Sequence, residues 1–85
     1  MINKQEHPVG WADLMYELED AREHLSRLIL EIESDPDYGD GNLRVDLGHV
    51  YAHLNRAWHG RNAADGLPDE QRESASRFPQ DLEPV

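Results

Sequence analysis

Apolar residues return along this chain at alternating spacings of three and four, in two runs separated by a short break. In the first run Trp11, Leu18, Leu25 and Ile32 lie seven apart, Leu14, Ala21 and Leu28 fill the position between them, and Met15 and Ile29 widen the stripe. In the second run Leu43, Leu47, Val50, Leu54 and Ala57 form the stripe, with Tyr51 and Trp58 on its flank. That spacing gathers each set on one side of an α-helix, and the sustained sevenfold repeat has the character of a coiled-coil seam. The other face of the first helix carries Glu17, Glu19, Asp20, Glu23, Arg27 and Glu31, which reads as a solvated face. Glu23 and Arg27 stand four apart with the acid first, the favourable order for a helical ion pair. The other face of the second helix carries Asp46, His49, His53, Arg56 and His59.

Breaker residues set the boundaries. Pro8 suits a first helical turn, where its missing N–H has no partner to lose, and Gly10 is an alternative cap. Pro36 disfavours a helical Asp35, and Gly39 and Gly41 follow, so the first helix ends near Ser34. The connection SDPDYGDGN is long enough for an antiparallel hairpin, with Asn42 or Asp40 as the cap of the second helix. Gly48 falls inside that helix. A mid-helix glycine costs about 1 kcal/mol relative to alanine, which points to close approach of another backbone there. Gly60 is expected to end the helix in the left-handed conformation.

The resulting organisation is a flexible leader over 1–7, a hairpin domain over 8–60 (helices at about 9–34 and 42–60), and a tail over 61–85. The tail holds Pro68, Pro79 and Pro84 among acidic residues, with Asp69 placed to cap a short helix, and is expected to be partly disordered or docked on the bundle. The fold class is therefore all-α: an antiparallel helical hairpin with a Pro-rich acidic tail. Each apolar stripe is wider than two helices facing only each other can cover. Two hairpins packed together would cover them, so the pattern predicts a homodimeric four-helix bundle. Trp11, Leu14, Leu18, Leu25, Leu28, Leu47, Val50, Tyr51, Leu54 and Trp58 are the expected interface residues.

With 85 residues the chain supports one small domain, a size that often relies on a disulfide, a metal or oligomerisation for stability. Having no cysteine, it can form neither disulfides nor thiolate metal sites. Eight basic residues against eighteen acidic ones give a net charge of −10, which argues against binding nucleic acid or an anionic membrane surface. An acidic surface for a basic partner, or a mimic of DNA, is the sharper reading of that charge; solubility is the plainer one. No apolar run approaches a membrane span or a secretory signal, so a cytoplasmic location is expected.

Asp46, His49 and His53 follow the spacing D-x2-H-x3-H, which aligns three potential ligands for a divalent transition metal along one helical stripe. Glu17, Asp20 and His24 make a matching stripe on the first helix. The chain lacks the Glu-x-x-His pairs of ferritin-like di-metal bundles, and both stripes lie beside the apolar seam rather than in it. The loop from Asp35 through Asp37 to Asp46 partly follows a calcium-binding EF-hand, but Gly39, Asp40 and Asp46 depart at the positions that define that motif. Ser26, Ser34, Ser74 and Ser76 sit in no nucleophile elbow, and Ser26 and His24 are two apart on a helix and do not face each other. The sequence HLNRAWHGR is dense in residues that stack and hydrogen-bond; Trp58, Arg56 and Arg61 either anchor a partner or pack into the bundle and pair with acids. The functional expectation is a small accessory or regulatory protein acting through protein–protein contact, with no evident catalysis and no cofactor. The alternative is a metal-binding or enzymatic bundle using Asp46, His49 and His53, with His24 as a further candidate.

Overall fold

The computed structural model describes residues 1–85, and every regular element is helical. Helix α1 spans Pro8–Ser34 and helix α2 spans Asp40–His59; a 3-10 turn at Asp69–Gln71 leads into the one-turn helix α3 at Arg72–Ala75. No helix is long and apolar enough to cross a membrane.

Helices α1 and α2 pack against each other as an antiparallel hairpin. Leu14 meets Ala57 at one end, and Ala21 and Leu28 meet Val50 and Leu43 toward the other. The face that α1 buries is Gly10, Leu14, Glu17, Ala21 and Leu28. Of the two interleaved apolar series, only the one through Leu14, Ala21 and Leu28 points at α2. The series through Leu18, Leu25 and Ile32, together with Ile29, remains between 40% and 48% exposed. The small side chains of Ala21 and Ala57 at the buried line favour this rotation, because they let the two backbones approach closely.

Local chemistry explains the ends. Pro8 occupies the first turn of α1, as its fixed φ favours. Gly10 lies within that turn and is not its cap. Its N–H donates to Ala64 O at 2.9 Å, and a Cβ there would collide with Ala63 O and stand 2.6 Å from Ala64 O. At the break before Pro36, Asp35 turns extended (φ −110°) and its Oδ1 accepts the Asp37 N–H at 2.9 Å. The N-cap of α2 is Gly39 rather than Asn42 or Asp40, and Asn42 reaches back so that its Oδ1 accepts the Gly39 N–H at 3.1 Å. After α2, Gly60 has φ −89°, not the left-handed value expected of it. Glycine is used there because a Cβ would stand 3.1 Å from Arg56 O and 3.3 Å from Leu67 Cγ. The left-handed residue is Gly66 (φ 84°), packed against the Asp13 side chain, whose Oδ2 accepts the Leu67 N–H at 3.2 Å.

Both termini lie against the hairpin. Ile2 is buried with Leu14 and Ala57, and its N–H donates to Arg61 O at 2.9 Å. Downstream, Ala75 is buried, Asn55 Nδ2 donates to Ser76 O at 2.8 Å, and Phe78 meets the Tyr51 ring edge-on at 5.0 Å. Trp58 Nε1 donates to Asp81 Oδ1 at 2.9 Å. That bond, followed by the Arg61 and His59 charges, holds the Asp81 carboxyl below its ordinary value. The tail thus wraps the outer side of α2.

Candidate functional site

Two flanks of opposite character run along the hairpin. On α1, Glu17, Asp20 and His24 lie to one side of the buried line, and Leu18, Leu25 and Ile29 to the other. On α2, Asp46, His49 and His53 lie to one side, and Leu47, Tyr51 and Leu54 to the other. Helical spacing fixes these positions, and cross-helix contacts fix their pairing. His53 touches Glu17, and the His24 ring lies 5.1 Å from that of His53 and 5.4 Å from that of His49. The polar stripes therefore share one flank, and the apolar stripes share the other.

Glu17 is the centre of the polar flank. It is the one large side chain that is fully buried, at 1% exposed. Its Oε1 accepts from Arg56 Nε at 3.0 Å and from Arg72 Nη2 at 3.1 Å, and its Oε2 accepts from His53 Nδ1 at 2.7 Å. Three elements, α1, α2 and α3, are thereby tied through one carboxylate. Burial pushes the Glu17 carboxyl up, but the hydrogen bonds from Arg56 and His53, with the Arg56 charge, outweigh it and hold the group below its ordinary value. Arg56 also donates from Nη1 to Ser76 Oγ at 2.7 Å, and Ser76 Oγ donates to Arg72 O at 2.7 Å, so the network continues into the tail.

His53 Nδ1 lies 2.7 Å from Glu17 Oε2, which as a carboxylate can only accept, and 3.0 Å from Arg56 Nη2, which can only donate; the shorter contact favours a proton on Nδ1. Nε2 is then the free ring nitrogen, and it faces Asp20 Oδ2 at 3.8 Å. Asp20, His24 and His53 can each turn one ligand atom into a group whose members lie within 4.8 Å of one another. His49 is exposed beside His24. Asp46 is engaged elsewhere: its Oδ2 accepts from the Tyr38 hydroxyl at 2.8 Å. Desolvation, the bond to Asp46 and the Asp46 and Glu31 charges push Tyr38 up to about 12. Of the sequence-derived ligands, His49 and His53 thus lie around His24, while Asp46 lines the adjoining cleft with His24, His49, Arg27 and Glu31. Asp35, Asp37 and Asp46 form no converging group.

Sequence reasoning placed Glu17 on a solvated face; the structure corrects this. The signal was present, since Glu17 lies three after Leu14 and four before Ala21, on the buried line itself. Arg72, Asn55 and Ser76 carry no such signal, because they join the site through tail docking.

The apolar flank carries Leu18, Leu25, Ile29 and Ile32 of α1 beside Leu47, Tyr51 and Leu54 of α2. Of the expected interface residues, Leu14, Leu28 and Val50 lie in the hairpin's own core. Trp58 is half-buried under Arg61, whose guanidinium stands 3.8 Å from the ring centroid. Around Gly48 the α2 surface is open: nothing stands within 4 Å of a Cβ built there, and a shallow groove is lined by Leu43, Arg44, Leu47, Gly48 and Tyr51. In comparisons with protein-family models, curated proteins and solved structures, nothing matches this chain.

Proposed function

We propose that this protein is a small accessory module of protein–protein contact whose apolar flank pairs with a second copy of itself, completing a four-helix bundle. The observation that carries this reading is the strip of Leu18, Leu25, Ile29 and Ile32, each at least 40% exposed, beside Tyr51 and Leu54, likewise exposed at 44% and 42%. Isolated exposed apolar residues are ordinary; a continuous strip along two helices is a binding surface. Its sevenfold spacing suits another helical pair, and the flank repeats along antiparallel helices, so it can meet its own copy about a two-fold axis. The tail borders the strip at Tyr51, where Phe78 meets the ring edge-on, and Phe78 and Leu82 themselves stay exposed. Gly48, whose helix-propensity cost brings the monomer no contact, supports a helix crossing at that point.

The test is a charge scan. Leu25→Lys and Ile29→Lys each introduce a charge on the strip without removing a buried side chain. Leu30→Lys and Tyr16→Lys do the same at more exposed apolar positions off the strip. The strip variants should be monomeric and fully helical, and the off-strip variants should associate as the parent does. Equal behaviour of the two sets would contradict the reading.

A further inference from the structure

The polar flank holds a second candidate site, independent of the apolar one. We propose that Asp20, His24, His49 and His53 form a binding site for one divalent transition metal ion, with zinc the best fit. The donors come as two i, i+4 pairs, Asp20 with His24 on α1 and His49 with His53 on α2, which places each pair on one helical face. The hairpin brings the faces together. One ligand atom from each of Asp20, His24 and His53 already lies within 4.8 Å of the others. His49 lies outside that group, its ring 5.4 Å from that of His24. In a tetrahedral site with zinc–ligand bonds of about 2.0–2.1 Å, the ligand atoms are about 3.3 Å apart. Neither His24 nor His49 belongs to the Glu17 network, so their side chains can turn toward His53 without breaking it.

The surroundings of His53 strengthen the assignment. A metal-binding histidine typically donates its second ring N–H to a carboxylate, which fixes the tautomer and the ring direction. Glu17 fills this role from a fully buried position: its Oε2 accepts from Nδ1 at 2.7 Å, and Nε2 faces Asp20 at 3.8 Å. The carboxylate is itself held by Arg56 and Arg72, so His53 is oriented before any ion arrives. Imidazole and carboxylate donors without thiolate select the zinc, nickel and copper(II) class, and three imidazoles with one carboxylate suit tetrahedral zinc. A net charge of −10 favours a cation over an anion at this flank.

The experiment uses the full-length chain without a histidine tag, stripped of metal, titrated with Zn²⁺ by calorimetry and with Co²⁺ as a spectroscopic reporter. One ion per chain should bind, and Co²⁺ should give the intense visible bands of a tetrahedral nitrogen–oxygen site. His24→Gln lies outside the Glu17 network, so the variant keeps its helicity; it should weaken Zn²⁺ binding by at least about tenfold, as should His49→Gln. His7→Gln and His59→Gln should leave binding unchanged. Zn²⁺ binding no tighter than that of an Asp20→Asn/His24→Gln double variant would overturn the proposal, as would a weak octahedral Co²⁺ spectrum. An unchanged affinity in His49→Gln would overturn the four-ligand assignment.

Discussion

Glu17 accepts a hydrogen bond from His53 across the hairpin at 2.7 Å, and the carboxylate is almost wholly out of water. A buried charge is tolerable only when it is paired and its lone pairs are satisfied, and here Arg56 and Arg72 complete the set. The contact therefore links helix register to tail docking: if α2 slid by one residue, Arg56 and His53 would both lose Glu17.

Removing the carboxylate leaves three donors facing each other. Glu17→Ala should destabilise the fold by about 3–5 kcal/mol, the usual cost of breaking a buried ion pair from one side. Urea unfolding followed by circular dichroism measures it. Glu19→Ala, at a position paired only with exposed Arg22, should change stability by less than about 0.5 kcal/mol.

The same group sets an acid limit. Its folded-state value lies below its ordinary 4.5, so its contribution is fully present above that pH and is lost as pH falls through the folded value. The unfolding free energy of the wild type minus that of Glu17→Gln should shrink as pH falls below about 4.5. A difference that grows on acidification would contradict the assigned sign.

Tyr38 offers a spectroscopic check of the α2 start. Tyr38 should ionise at about 12, read by its phenolate absorbance. Asp46→Asn removes both the charge and the charged acceptor, so it should bring the value back toward 10.

Two glycines should respond in opposite senses. Gly10→Ala drives a methyl group into the Ala63 and Ala64 carbonyls and should cost about 1–3 kcal/mol, despite alanine's better helix propensity. Gly48→Ala meets open space; in the monomeric Leu25→Lys background it should raise stability by about 1 kcal/mol. Thermal unfolding of both variants distinguishes them.

Much of this architecture is legible in the residues. The three-and-four spacing yields both helices, Pro36 and the glycines yield the break, and Glu23 and Arg27 pair at 3.1 Å as their spacing predicts. What the sequence hides is rotation. A stripe as wide as Leu14, Leu18, Leu25, Leu28 and Ile29 does not reveal which of its edges faces the partner helix. That choice rests on the backbone approach at Ala21 and Ala57 and on the pairing of Glu17, a residue whose charge argues for solvent while its spacing argues for the core. The rotation in turn brings His24 to His53, a meeting that no single helix encodes. The docking of Ile2, Arg72 and Ser76 depends on chain segments without periodicity, and so leaves no pattern to read.

The most direct test of the central claim is the solution mass, by light scattering at two protein concentrations, with and without EDTA. The apolar strip predicts a species of twice the 9.8 kDa chain mass, unchanged by EDTA and reduced to a single chain in Leu25→Lys. A 9.8 kDa monomer at both concentrations would contradict the paired-bundle account, leaving the strip of Leu18, Leu25, Ile29 and Ile32 without its second copy.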